Sequence, residues 1–273
     1  MIEAPFPNLE NLMDMIGEAG QRMAEINACE GSAGNISVCL GWKLDLNYYF
    51  QWVENIKLPQ PAPALAGMTL IVTGSGRRLS DISVHPTTNL ACLIINEDGL
   101  TAQQFTSTKR GFTKITSEFN SHLAAHAERI KATGSNFNVV IHVHPPYLSY
   151  LTYIEQYRDE HYLNTHLLRW QPETIVNIPE GIGLTQFQVP GSTELVTAGT
   201  SLLNSHQVVI WSKHGVMASS TNSVKKATNL IEYAESAAHY EYLNLSCGEI
   251  GEGLSTNEVR AICEAFHVEQ HYF

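Results

Sequence analysis

The stretch VVIHVHP, at positions 139–145, predicts the strand on which the rest of the interpretation depends. It is apolar at most positions and is stopped by proline, which is typical of a buried strand with a sharp end. Side chains on a strand alternate between its two faces, so His142 and His144 point the same way. Ile141 and Val143 then point towards a core on the opposite face.

Two imidazoles at this spacing can reach one metal ion. A second apolar strand, predicted over 207–211, leads to Lys213, His214 and Gly215. A histidine followed by glycine at a strand-to-loop junction is a good candidate for a third ligand. Three histidines with an open fourth position are the ligand set of a catalytic zinc. The alternative is a half-buried strand with polar residues on its wet face, followed by an unrelated loop histidine.

His122 and His126 could compete for the metal, because they lie one helical turn apart on one face. Leu123 follows His122, so the H-E-x-x-H metalloprotease motif is absent. We expect this pair to form a polar helix face or the surroundings of the site.

Two turns of small residues and one helix start could bind an anion: 31–35 (GSAGN), 73–76 (TGSG) and 116–117. Backbone amides in such places bind phosphate well. None of the three matches a nucleotide-binding fingerprint, and ordinary turn chemistry is the alternative for each. Glu118, in the first turn of the following helix, is either a helix-dipole partner or, near a metal, a group that transfers a proton.

Composition restricts the possible partners. The 273 residues include 16 Lys and Arg against 27 Asp and Glu, a formal net charge of −11 that disfavours nucleic acid and anionic membranes. The five scattered cysteines form no C-x-x-C pair, which indicates free thiols in a reducing compartment. Acidic residues near the start argue against a signal peptide, and no apolar stretch approaches the roughly 18 residues of a membrane span. We expect a soluble, cytoplasmic protein.

Hydrophobic periodicity predicts helices and strands that alternate irregularly. The predicted helices are 8–27, about 116–131, 223–245 and one that starts at 255, and the predicted strands are 36–40, 68–73, 91–96 with a hairpin partner up to 105, 138–144, 174–178 and 207–211. Residues 41–66 include three prolines and predict an irregular insertion. The expected fold class is α/β: a single layered domain over 1–273, with a central, largely antiparallel sheet between helix layers.

Five short motifs occur in one order along the chain: Ala33-Gly34-Asn35, Thr73-Gly74-Ser75-Gly76, Thr116-Ser117-Glu118, His142-Val143-His144 and Lys213-His214-Gly215. No single motif is decisive, but five in order are specific. In these motifs the chain resembles the class II aldolase/adducin family, whose fold is a central antiparallel sheet between helix layers.

The resemblance implies a set of functional residues. His142, His144 and His214 would bind one zinc per chain, or another divalent ion, and Glu118 would be the central acid or base. Glu173 would be a second catalytic group, contributed from a neighbouring subunit, although the preceding residues 169–172 depart from the family pattern. The phosphate of the substrate would lie among Ser32, Gly34, Asn35, Ser75, Gly76, Thr116 and Ser117.

Within the family, the insertion at 41–66 and the segments 128–133, 179–183 and 189–191 are most similar to the branch that cleaves L-rhamnulose 1-phosphate. This implies a small phosphorylated ketose as substrate, retro-aldol cleavage, and a homotetramer with active sites at subunit interfaces.

Three alternatives stay open. One is a related fuculose-phosphate aldolase, ribulose-5-phosphate 4-epimerase or sugar-phosphate dehydratase. The others are a non-enzymatic adducin-like module, disfavoured by the three histidines, and an unrelated H-x-H hydrolase or oxygenase.

Overall fold

The computed structural model describes residues 1–248 and 250–273. Its helices are α1 (Leu9–Glu25), α2 (Pro86–Asn89), α3 (Phe119–Thr133), α4 (Pro146–Leu151), α5 (Glu160–Leu167), α6 (Pro172–Asn177), α7 (Thr193–Leu202), α8 (Val224–Cys247) and α9 (Thr256–Phe266). Its strands are β1 (Asn35–Leu40), β2 (Trp52–Lys57), β3 (Thr69–Thr73), β4 (Leu90–Ile95), β5 (Thr101–Thr106), β6 (Phe137–Val143), β7 (Gly183–Thr185), β8 (Val208–Trp211) and β9 (Gly215–Ser220). Within the described residues, every helix is too short or too polar to cross a membrane.

The strands form one sheet in the order β2-β5-β4-β3-β1-β6-β9-β8-β7. The neighbours are antiparallel, except that β7 and β8 are parallel. Strand β6 lies between β1 and β9, in a register that sets His142 opposite Asn35 on one side and Met217 on the other. The largely antiparallel sheet expected from the sequence is therefore present.

Side chains of β6 alternate between two helix layers. Val139, Ile141 and Val143 join the larger core, to which α1 and α8 contribute, and each buried apolar side chain of this size adds roughly 1.5–3 kcal/mol of stability. Val140 faces the opposite way and packs with residues of α3 and α7. His142 shares this second face with Val140, as the period of two requires. The metal-ligand candidate on β6, His142, thus lies on the α3 side of the sheet.

The structure confirms most of the predicted elements, namely α1, α3, α8 and α9 and β1, β3, β4, β5, β6 and β8. The predicted strand at 174–178 is wrong, because residues 172–177 form helix α6. Its β-branched residues favour a strand, but Pro172 is suited to the first position of a helix. Ile175 is fully buried and packs with Val259 of α9, so tertiary packing overrides the local preference.

The insertion predicted to be irregular at 41–66 contains an edge strand. Strand β2 pairs with β5 at one margin of the sheet, and the side chain of Trp52 at its start is 54% exposed. Phe50 and Leu58, just outside the two ends of β2, are buried and attach the insertion to the cores. The alternation of β2 is weak because all six of its residues are exposed or half-buried, so neither face of the strand is a core face.

Helix α1 packs closely against the chain around Leu79, and Gly20 makes this approach possible. A Cβ atom added at Gly20 would lie 2.4 Å from the Leu79 carbonyl oxygen and 2.9 Å from its carbonyl carbon. Since both atoms belong to the backbone, neither can move aside without shifting the main chain.

Gly20→Ala should therefore destabilise the protein by about 1–3 kcal/mol, the usual cost of overpacking, although alanine is the better helix former. Urea unfolding followed by circular dichroism measures this free energy. Glu18→Ala, on the exposed side of the same helix, is the matched control and should change stability by less than about 0.5 kcal/mol. Equal stability of the Gly20 variant and the wild type would contradict the close approach.

Candidate active site

Three histidines meet where β6 ends and β9 begins. The ring centroids of His142 and His144 are 5.1 Å apart, those of His142 and His214 are 5.0 Å apart, and those of His144 and His214 are 5.1 Å apart. One ligand atom from each ring lies within 4.8 Å of the other two. His142 is buried and the other two are half-buried. The H-x-H spacing on β6 and the position of His214 after β8 thus bring the three side chains together, as the sequence predicts.

His142 has one ring nitrogen engaged and one free. Its Nδ1 lies 2.9 Å from the Val216 carbonyl oxygen, which only accepts, so the ring proton is on Nδ1. Burial, and then the nearby His144, lowers the pKa of His142 to about 3. The ring is therefore neutral at pH 7 and its Nε2 carries an unshared electron pair. Trp211 stacks on this ring at a centroid distance of 4.5 Å.

His144 directly follows β6, and its ring is oriented by Glu30, which lies in a distant segment. Its Nδ1 lies 2.9 Å from Glu30 Oε1, and since a carboxylate only accepts, Nδ1 donates and Nε2 stays free. A histidine oriented in this way by a carboxylate is typical of metal ligands. Beyond His144, the Glu235 carboxylate accepts the backbone N–H groups of Tyr147 and Leu148 at 2.9 Å each, which caps α4. The end of β6 is thus fixed on both sides.

His214 lies in the short connection between β8 and β9, whose ends pair through Trp211 and Gly215. A Cβ atom added at Gly215 would lie 2.5 Å from the Val143 carbonyl oxygen and 2.7 Å from the ring of His144. Glycine thus lets β9 begin close beside β6, where His214 can meet the other two histidines. Burial, and then His142, lowers the pKa of His214 to about 4, so this ring is also neutral at pH 7.

Glu118, the residue before α3, faces two of the histidines. Its Oε2 lies 3.3 Å from His142 Nε2, and its Oε1 lies 3.5 Å from His214 Nε2. Within the described part of the chain, His142 Nε2 has no hydrogen-bond partner. Because the proton of His142 is on Nδ1, two acceptors face each other in a buried place, an arrangement that a bound cation would relieve. The donor set therefore fits a divalent ion such as zinc.

A cavity of about 190 Å³ lies beside the histidines and is lined by Glu118, His144 and His214. The seven residues predicted to contact phosphate also line it: Ser32, Gly34, Asn35, Ser75, Gly76, Thr116 and Ser117. Two backbone hydrogen bonds join its loops, from Ser75 to the Lys114 carbonyl at 2.8 Å and from Thr116 to the Thr73 carbonyl at 3.0 Å. Segments that are far apart in the sequence thus converge on one small polar cavity.

Glu173 lies elsewhere. It is exposed in the first turn of α6 and lines a separate cleft together with Arg22, Tyr147 and Glu232. The fold of one chain therefore does not bring Glu173 to the cavity that contains Glu118.

Comparison with known proteins identifies the family. A model of the class II aldolase and adducin N-terminal domain matches residues 14–242, most of the chain. The chain belongs to the class II aldolase and adducin family. The match includes all five motifs and the three histidines.

Relatives and solved structures support this membership. Rhamnulose-1-phosphate aldolase of Enterobacter sp. (strain 638) is 32% identical over 220 residues, which are 81% of this chain and 79% of the relative. Rhamnulose-1-phosphate aldolase of Yersinia pestis (strain Pestoides F) is 30% identical over 244 residues, 88% of this chain and 87% of the relative. A sugar-phosphate aldolase from Thermotoga maritima has a TM-score of 0.74 at 26% identity, covering 90% of this chain and 99% of its own.

An L-fuculose 1-phosphate aldolase shares the fold, with a TM-score of 0.60 at 18% identity over 97% of this chain and 100% of its own. The expected fold class and the expected enzyme class, a class II aldolase, are confirmed by these similarities. In this class II aldolase, the histidine triangle is a candidate metal site.

Two features next to the site were hard to predict from the sequence. Glu30 contacts His144 across 114 positions of sequence, and its only signal is its place directly before the turn at 31–35. His122 and His126 are fully buried between α3 and the sheet, which fits the surroundings of the site and not a solvent-exposed helix face. Helical spacing shows that these two histidines share one face of α3, but it does not show that this face packs against the sheet.

The buried His126 should make stability depend on pH. Burial lowers its pKa from 6.5 to about 3, so it is neutral when folded but gains a proton in the unfolded chain at mildly acidic pH. Its contribution to stability is thus present above pH 6.5 and is lost as the pH falls towards 3. Between about pH 6 and pH 4, His126→Gln should reduce the slope of unfolding free energy against pH by about 1.4 kcal/mol per unit. Urea unfolding at several pH values measures both slopes, and identical slopes would contradict a neutral buried His126.

Proposed function

We propose that this chain catalyses the reversible, metal-dependent cleavage of L-rhamnulose 1-phosphate to dihydroxyacetone phosphate and L-lactaldehyde. The observation that carries the proposal is that three histidines, one carboxylate and three segments of small and hydroxyl residues converge at and beside a single cavity. The rhamnulose-1-phosphate aldolases that are 30% and 32% identical over most of the chain support this substrate.

His142, His144 and His214 would hold one zinc ion, or another divalent ion, per chain. When bound, such an ion supplies Lewis-acid stabilisation of negative charge that develops on oxygen. The histidines suit this role because two of them are neutral through burial and two have their Nδ1 protons committed to fixed acceptors. Holding the rings in this way prepares the site before the substrate enters.

Glu118 would transfer the proton at carbon. Cleavage of the bond between carbons 3 and 4 leaves an electron pair on carbon 3, as an enediolate, and turns the hydroxyl of carbon 4 into the aldehyde. Glu118 then protonates carbon 3 to give dihydroxyacetone phosphate, and in the synthetic direction it removes the same proton. Its position 3.3 Å from His142 and 3.5 Å from His214 puts this group directly beside the candidate metal site.

The turns that line the cavity would bind the phosphate group. Gly34 and Gly76 have φ values of 86° and 70°, which glycine adopts without strain and which lets consecutive amides turn towards one point. Thr116 and Ser117 add hydroxyl groups and the start of α3, whose helix dipole favours an anion. Together with Ser32, Asn35 and Ser75, these residues form the proposed phosphate site.

Glu173 would act on the other product. A base is needed to accept the hydroxyl proton of carbon 4 as the aldehyde forms. Since Glu173 is exposed and lies outside the cavity of its own chain, it can serve only from a neighbouring subunit. This role, the homotetramer and the cytoplasmic location stay predictions.

Glu118→Gln removes the proton but keeps the shape of the side chain. We expect metal content and the KM for substrate to stay near their wild-type values, while kcat falls by about 10²–10⁴-fold, the usual span for a general acid or base. Glu194→Gln makes the same change in the first turn of α7, on the surface, and should keep full activity. Near-normal turnover of the Glu118 variant would exclude this carboxylate from the reaction.

Release of dihydroxyacetone phosphate from L-rhamnulose 1-phosphate, followed by a coupled assay with and without a chelator, tests the proposed reaction. Activity should disappear with the metal and return when zinc is added back. His142→Ala should lose metal and activity together, whereas His161→Ala, at an exposed position, should lose neither. An active metal-free variant would overturn the proposal. Preference for L-fuculose 1-phosphate or for ribulose 5-phosphate would move the assignment to another member of the family.

A further inference from the structure

A chain of buried polar side chains runs from the candidate active site into the interface between the sheet and α3. Its members are Glu118, Asn35, His122, Ser37, His126, Asn138 and Ser219. Ser37, His122 and His126 are fully buried, at 0% exposure, so they cannot exchange partners with water. A buried polar chain of this kind is stabilising only if each group has a partner of the opposite type.

The donor-to-acceptor direction of this hydrogen-bond chain is determined at its active-site end. Asn35 Nδ2 lies 2.9 Å from Glu118 Oε2, and because a carboxylate only accepts, this bond requires the amide nitrogen on that side. The Asn35 carbonyl oxygen, Oδ1, then faces His122 Nε2, with which it is in hydrogen-bond contact. An amide oxygen also only accepts, so His122 must carry its proton on Nε2.

The next hydrogen bonds, away from the site, run in the same direction. Burial, and then His126 and His142, lowers the pKa of His122, so the ring is neutral and its Nδ1 accepts. Ser37 Oγ, 2.6 Å away, donates to this nitrogen and accepts in turn from His126 Nε2 at 2.7 Å. Both histidines therefore take the tautomer with the proton on Nε2.

At the far end of the hydrogen-bond chain, each donor also faces an acceptor. His126 Nδ1 accepts from Asn138 Nδ2 at 2.9 Å, and Asn138 Oδ1 accepts from Ser219 Oγ at 2.9 Å. Asn138 lies on β6, which carries His142, and Ser219 lies on β9, which begins directly after His214. Every hydrogen bond in the series is thus donated in the same direction, from Ser219 towards Glu118.

We propose that Ser37, His122 and His126 are positioning residues, which hold the Asn35 amide with its nitrogen towards Glu118 and so keep that carboxylate aimed into the cavity. An asparagine amide has nearly the same shape either way round, so the partner of its oxygen decides its orientation. Without the donor on His122, Asn35 can turn its oxygen to Glu118, and two acceptors then repel. This inference rests on the proposed function of Glu118, because it assigns a purpose to the orientation of that group.

Two substitutions of His122 distinguish a role in orienting Asn35 from a role in packing alone. Glutamine places an amide nitrogen near the position of Nε2 and can still donate to Asn35. Asparagine, one methylene shorter, places its amide near the position of Nδ1, where it can accept from Ser37 but cannot reach Asn35. Both variants are neutral and polar, so the difference between them reports the donor to Asn35.

The rate of solvent-deuterium exchange into dihydroxyacetone phosphate, at its hydroxymethyl carbon, isolates the proton transfer assigned to Glu118. His122→Asn should lower this rate and kcat by about 10–100-fold, the effect of a misplaced catalytic group, with zinc content and KM near wild type. His122→Gln should stay within about threefold of wild type. Equal rates in the two variants, whether both normal or both low, would overturn the proposal. If neither variant folds, the pair His126→Gln and His126→Asn makes the same distinction at Ser37.

A second measurement does not depend on activity. Nitrogen-15 NMR of the histidine-labelled holoenzyme should show His122 and His126 as neutral rings protonated on Nε2, with signals assigned by their loss in the glutamine variants. An Nδ1-protonated His122 would overturn the direction of the chain. If the wild type releases no dihydroxyacetone phosphate and catalyses no exchange, the proposed function fails, while the NMR result still decides the hydrogen-bond chain.

Discussion

The hydrogen bond from His142 to the Val216 carbonyl ties the candidate metal site to the pairing of β6 with β9. It fixes the ring proton on Nδ1 and leaves Nε2 as an unshared pair in a buried place. The antiparallel register also sets Asn35 beside His142, and Gly215 lets β9 begin without displacing the end of β6. The position of the site is thus a consequence of strand register, which is strongly specified because a slip of one residue would turn His142 into the opposite core.

Helix α3 supplies the other half of the arrangement. Its first turn follows Thr116, Ser117 and Glu118, which line the cavity, while its inner face carries His122 and His126. A helix in this place could bury apolar side chains instead. The polar choice costs desolvation, which hydrogen bonds offset only when each partner is correctly oriented. A completely satisfied hydrogen-bond chain is rigid, and this rigidity would hold the Glu118 carboxylate in one position beside the histidines.

An acidic protein can still bind an anionic substrate, because local fields differ from the net charge. The chain carries a formal charge of −11, yet the cavity is built from glycine-rich turns, hydroxyl groups and a helix start. Backbone amides act only over the first few ångströms and do not alter the overall charge. A divalent ion held by the three imidazoles would contribute two positive charges at the same point. For anion binding, the local charge around the cavity therefore matters more than the net charge of the whole protein.

The sequence by itself determined the strand that carries His142, the helix that starts after Glu118 and the turns of small residues, because hydrophobic period and glycine placement are local signals. Local signals failed at 174–178, where β-branched residues form α6 because Ile175 packs with α9. Only the tertiary structure brought Glu30 to His144 and His122 to Asn35, and only it kept Glu173 away from the cavity of its own chain. These contacts and separations involve residues that are tens to more than a hundred positions apart in the sequence. A local sequence pattern does not encode which distant residue will face a given side chain in the folded protein.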